Sequence, residues 1–90
     1  MNFLMANSGK FSEGPHIVRY ERLRQGNFYA DFRRDKRIYP EVYHCIIQKD
    51  GSTQILSWSQ YRSLEKALQA AELELKRLVE AELIKTKNHA

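Results

Sequence analysis

The hydrophobic period of this chain changes near residue 60, from two residues to between three and four. A period of two places alternate side chains on one face of a strand; a period near 3.6 makes one stripe along a helix. Before the change, Phe28-Tyr29-Ala30-Asp31-Phe32-Arg33 alternates strictly between apolar and polar residues. Residues 17–23, 42–48 and 53–58 are also rich in β-formers, and Gln25-Gly26-Asn27 and Lys49-Asp50-Gly51-Ser52 supply turns. Asp-Gly suits the positive φ angles of a tight hairpin. After the change, Tyr61, Leu64, Leu68, Ala71, Leu75, Leu78 and Glu82 recur at helical spacing. Such short connections join antiparallel neighbours. The expectation is an α+β fold, a four-stranded antiparallel meander followed by one long C-terminal helix (ββββα).

The strand periods also assign faces. With Phe28, Ala30 and Phe32 toward the helix, Tyr29, Asp31 and Arg33 face away. Val18 and Tyr20 inward send Arg19 outward. Leu56 and Trp58 are expected inward, with Trp58 at a core corner and Ile55 and Ser57 on the open face. For residues 42–48 both sets, Tyr43/Cys45/Ile47 and Val42/His44/Ile46, are mostly apolar, so either face could be the buried one.

Ninety residues make a single small domain. Residues 1–15, with their Asn, Ser, Gly and Pro, read as a disordered lead-in; 16–86 form the domain and 87–90 a frayed tail. The apolar run Phe3 to Ala6 is short for a signal peptide, and no stretch reaches the roughly 18 apolar residues of a membrane span. With one cysteine there is no internal disulfide, which fits a cytoplasmic protein.

The helix outruns the sheet. About 25 residues at 1.5 Å each reach roughly 38 Å, whereas a seven-residue strand spans about 23 Å. The surplus, with Leu73, Leu78 and Ile84 as candidate contacts, fits a homodimer formed through the helix.

Chemistry-bearing residues are few. His44 and Cys45 are adjacent, but neighbours on a strand point to opposite faces and cannot act as a thiolate–base pair. The three histidines have no metal-ligand spacing, and no glycine-rich phosphate loop occurs. Neither catalytic residue, metal site nor cofactor is expected, so the chain does not read as an enzyme. The charge is more informative. Seven of fifteen basic residues lie between His16 and Pro40 against three acidic ones, so this segment carries the entire net charge of +4. Basic residues interleaved with aromatics suit a polyanion, arginine through bidentate phosphate contacts and tyrosine through base stacking. Arg19, Arg22, Tyr29, Arg33, Arg34, Lys36, Arg37 and Tyr39 are the candidate nucleic-acid contacts.

In Gln54-Ile55-Leu56-Ser57-Trp58-Ser59-Gln60-Tyr61-Arg62-Ser63-Leu64 the last strand runs straight into the helix, with an aromatic at the junction. With the layout of residues 16–84, this stretch resembles the single-stranded-DNA-binding transcriptional regulators: positive-cofactor-four coactivators, Whirly proteins and PUR repeats. The resemblance implies pairing through helices and a curved sheet that binds single strands with basic and aromatic residues. By position, Arg19, Tyr29, Arg33, Arg34, Lys36 and Arg37 would then be contacts. The alternative is a protein-interaction or assembly module. Its apolar surface would come from Val42, Ile46, Ile55, Leu73 and Ile84, and its arginines would meet an acidic partner protein.

Overall fold

The computed structural model describes residues 14–89, and their side chains to residue 85. The strands are β1 (Ile17–Arg19), β2 (Leu23–Gln25), β3 (Phe28–Asp35), β4 (Tyr43–Lys49) and β5 (Ile55–Tyr61), followed by helix α1 (Leu64–His89). Every strand pairing is antiparallel: β4 lies between β3 and β5, and both β1 and β2 pair with β3. This is the expected α+β layout. The lead-in expected for residues 1–15 lies, apart from its last two residues, outside the described residues.

The fifth strand arises because a β-bulge divides the expected first one. Ile17–Arg19 oppose Asp35–Arg33, and Leu23–Gln25 oppose Ala30–Phe28. Tyr20, Glu21 and Arg22 therefore face only Phe32 and Asp31, one residue too many for a regular ladder. The Tyr20 N–H still donates to the Phe32 carbonyl at 3.2 Å. The extra residue shifts the alternation, so Tyr20 and Leu23, three apart, both pack on the helix-side core.

That core joins Phe28, Ala30, Phe32, Cys45 and Ile47 to Ala67, Ala71 and Leu75 of the helix. The face of β4 left open by the sequence is thereby settled: Cys45 and Ile47 lie inward, His44 and Ile46 on the open side. Ala67 and Ala71 let the helix approach closely, and Leu75 is fully buried. Leu68, expected on this stripe, is instead 38% exposed at its margin, because Ala67 takes the position facing the sheet. Ser63 caps α1, its hydroxyl accepting the Lys66 N–H at 3.1 Å. The Lys49 ammonium donates to Glu82 at 2.7 Å, tying the far part of the helix to the end of β4. Leu78 packs inward, whereas Leu73 and Ile84 are 72% and 60% exposed.

The turn Gly26-Asn27 is held beneath α1. Gly26 has φ +56, and a Cβ there would sit 3.1 Å from a Val79 methyl. Only glycine meets both demands without strain. The Asn27 carbonyl accepts the Asp50 N–H at 2.7 Å, so this turn is joined to the β4–β5 hairpin.

From Ser57 onward β5 faces the other way from its expected orientation, whereas Ile55 lies on the open face as expected. Trp58 lies opposite Ile46, and Ser57 opposite Ile47. The serines of β5 thus take the helix side and Trp58 the open side. A second bulge, between Ile47 and Gln48, leaves Leu56 as the extra residue in β5. The physical reason is coverage. The inner core of the sheet is built by β3 and β4, so small residues suffice at Ser57 and Ser59 on the helix side of the edge strand, while Tyr61 at its end packs on the core.

Candidate functional site

The face of the sheet opposite α1 is organised in cross-strand rows. One row runs Arg19, Arg33, His44, Gln60; the next holds Asp31, Ile46 and Trp58; the third runs Arg24, Tyr29, Gln48, Ile55. Ile46 is buried although it lies outside the helix-side cluster. Trp58 and Leu56, each 42% exposed, form its solvent side at β5.

The first row concentrates positive charge. Arg19 sits directly opposite Arg33, and Arg33 directly opposite His44. Arg33 is only 9% exposed, and its guanidinium is drawn into the face, where it donates to the Phe32 carbonyl at 3.3 Å. Lys36, Arg37 and Tyr39, on the β3–β4 connection, flank the same end of the sheet, and Arg62 follows β5 at that end. Tyr39 is 89% exposed.

The third row is a supporting structure. The Arg22 guanidinium lies 4.0 Å from the centroid of the Tyr29 ring and that of Arg24 at 5.3 Å. Arg22 also donates to both Asp31 carboxylate oxygens, at 2.8 and 3.1 Å, and Arg24 to Asp50 at 2.6 Å. The ring of Tyr29 is thus already occupied by the chain's own cations.

The remaining candidates divide. Arg37 donates to both oxygens of Asp35, at 2.9 and 2.7 Å. These contacts, with the Arg37 N–H, hold the Asp35 carboxyl well below the usual carboxylate range. Arg34 lies opposite Tyr43 on the helix side, where it donates to the Tyr20 hydroxyl at 3.2 Å and stands 3.7 Å from Glu41. It does not share a face with Arg19 and Arg33. The structure therefore brings together Arg19, Arg22, Tyr29 and Arg33, sets Lys36, Arg37 and Tyr39 beside them, and puts Arg34 behind.

Two residues of the face were absent from the sequence-derived set, Trp58 and His44. The Trp58 indole N–H points to His44 Nδ1 at 3.5 Å, and the rings meet edge to face. Burial holds His44 below the ordinary imidazole range, with Asp35 pulling weakly the other way. Arg33 faces it from β3, Trp58 and Gln60 from β5. The signal in the sequence was the serine–tryptophan–serine alternation of β5, legible only once its inward side is known.

This geometry makes a pH prediction. Because the folded-state value is depressed, the neutral imidazole is the form the fold prefers. Its contribution is complete above about pH 6.5 and is lost as pH falls through the folded value. Asp35 and Asp50, also depressed, act only further into acid. Between about pH 7 and pH 5, urea titrations should show falling stability and Trp58 emission should shift as Nδ1 ceases to accept. His44→Gln should flatten both; an unchanged profile in that variant would remove His44 as the cause.

Cys45 lies on the opposite side from His44, and burial pushes its thiol up to about 12. Such a group is an inert core atom, not a nucleophile. Among the described residues no three His, Cys, Asp or Glu gather in a metal-binding arrangement, and no helix is long and apolar enough to cross a membrane. Comparison with protein-family models, curated proteins and solved structures finds no match.

Proposed function

We propose that this protein is a small regulator that binds single-stranded DNA or RNA on the open face of its sheet, without enzymatic activity. The observation that carries the reading is the half-exposed Trp58 on the same sheet face as the row Arg19–Arg33–His44, opposite the helix. Arginine guanidinium groups neutralise phosphates, and an indole offers a flat apolar surface to an unstacked base. An extended strand would cross from the basic end, with Lys36, Arg37 and Tyr39, toward Trp58 and Leu56. Sequence preference would be weak, since stacking accepts every base. The setting is the cytoplasm, where the buried thiol of Cys45 remains reduced.

A salt titration tests the reading. Each phosphate contact on a single strand contributes a slope of about −0.7 in log affinity against log salt, so about three contacts weaken binding roughly 20-fold between about 50 and 200 mM. Fluorescence anisotropy with a labelled oligonucleotide measures this. Binding that is salt-independent, or absent at about 10 µM protein in low salt, would sink the proposal.

A second reading, an interaction module for an acidic protein, has its own support. Arg22, Arg24 and Arg37 are already matched by Asp31, Asp50 and Asp35, which lowers the field a polyanion would meet, while Leu56 and Trp58 supply apolar contact. The two readings part at Trp58, where a base needs a flat ring and a protein partner needs only apolar bulk.

A further inference from the structure

The two edges of the sheet are unlike each other. The β1–β2 edge is divided by its bulge and carries Arg19, Glu21, Arg22 and Arg24. Short segments, a bulge and alternating charge are how an edge resists pairing with another chain. The β5 edge has few such protections. Ile55-Leu56-Ser57-Trp58-Ser59-Gln60-Tyr61 is a seven-residue strand with no charge and no proline, and its bulge sits at one end only. Among the described residues it pairs with β4 alone, and no other described strand lies along its outer edge.

We propose that β5 pairs with β5 of a second copy, antiparallel across a two-fold axis, joining two sheets into one. A second copy is the fitting occupant because the strand is complementary to itself. In an isologous antiparallel pair the residue at the axis meets its own counterpart, and each other residue meets the one equally far on the opposite side. Any charge near the axis would meet its like, and this strand has none. The small helix-side residues Ser57 and Ser59 leave space there, and on the other side Trp58 and Leu56 of the two copies come near each other, burying apolar surface exposed in a single chain. One receptive edge per chain also closes the assembly at two, since the charged, bulged edge ends the sheet at both sides.

The outward side of α1 is a poorer seam. Leu73 and Ile84 are eleven residues apart, separated by the Glu74–Arg77 ion pair, whereas helix pairing needs apolar residues recurring every three or four positions. The β5 dimer does not depend on the nucleic-acid reading. It would nevertheless make the two open faces continuous.

Sedimentation velocity of the full chain, from about 5 to about 300 µM, reads the assembly directly. The wild type is expected to shift from monomer to dimer and no further. The double variant Ser57→Lys/Ser59→Lys sets like charges on both sides of the axis and should weaken association about tenfold or more. Leu73→Lys/Ile84→Lys should leave it unchanged. Hydrogen exchange on the wild type provides a measurement independent of variant folding: β5 amides should gain protection as concentration rises, and α1 amides should not. A wild type monomeric throughout, dimers lost in the helix variant but kept in the β5 variant, or concentration-dependent protection in α1 alone would each overturn the proposal.

Discussion

Replacing Phe32 by alanine is expected to remove about 3–5 kcal/mol of stability, the range for a fully enclosed aromatic whose site cannot collapse. Phe32 is completely buried at the centre of β3, beside Cys45 on β4 and in one cluster with the helix residues Ala67, Ala71 and Leu75. Two rigid layers hold the cavity walls apart. The neighbours are mostly small or already packed, so little can move in to fill the space. A single domain has about 5–15 kcal/mol in total, and small ones lie toward the lower end. The variant should therefore be partly unfolded at room temperature. Urea titration followed by circular dichroism would show its midpoint falling by about 2 M or more, given a slope near 1–2 kcal/mol per molar for a domain of this size. The outward Leu73→Ala should move the midpoint little, within about 0.5 kcal/mol. Equal effects at both positions would contradict the helix-on-sheet core described above.

The success of sequence reasoning at Phe32 and its failure at Trp58 have one cause. β3 is the middle of the sheet, and everything inward of it meets the helix, so the alternation of Phe28, Ala30 and Phe32 had only one consistent face. β5 is an edge. Nothing obliged its inward positions to be apolar, and two serines occupy them while Trp58 completes a second layer over Ile46. Apolar character alone could not separate burial under the helix from burial among side chains on the other face. The bulge at Glu21 and Arg22 was hidden for a related reason. It changes which residues share a face without altering which residues favour strands, and only the partner register exposes it. Charge was legible as a total but not as a surface. Arg34 counted toward the basic cluster, yet parity puts it with Tyr43 on the helix side. The aspartates counted against the cluster are bound to particular arginines, Asp31 to Arg22 and Asp35 to Arg37. The row that sets Arg19 opposite Arg33, with neutral His44 next to it, was produced by register, which no local pattern encodes.

Removing Trp58 should accordingly be the largest single change to oligonucleotide binding. Stacking of one base on one aromatic contributes about 1–3 kcal/mol, which corresponds to about 5- to 150-fold in affinity. Trp58→Ala is expected in that range, and Trp58→Phe should recover much of it because a smaller flat ring still stacks. The fold should tolerate both, since the indole is nearly half exposed and belongs to the outer layer. Tyr29→Leu should have a smaller effect on stacking than its exposure pattern first suggests. The Tyr29 ring is covered by Arg22 at 4.0 Å, so its loss acts mainly by releasing Arg22 and Arg24. The decisive comparison is Trp58→Leu. Leucine retains apolar bulk but not a π-face, so a protein partner packing on this surface should lose little while a base loses its stack. Anisotropy titrations of wild type, Trp58→Phe and Trp58→Leu at fixed salt separate the alternatives. An affinity ordered by flat aromatic area places the base on the indole; equal affinities for Phe and Leu would mean that the surface provides only hydrophobic contact, as expected of a protein interface.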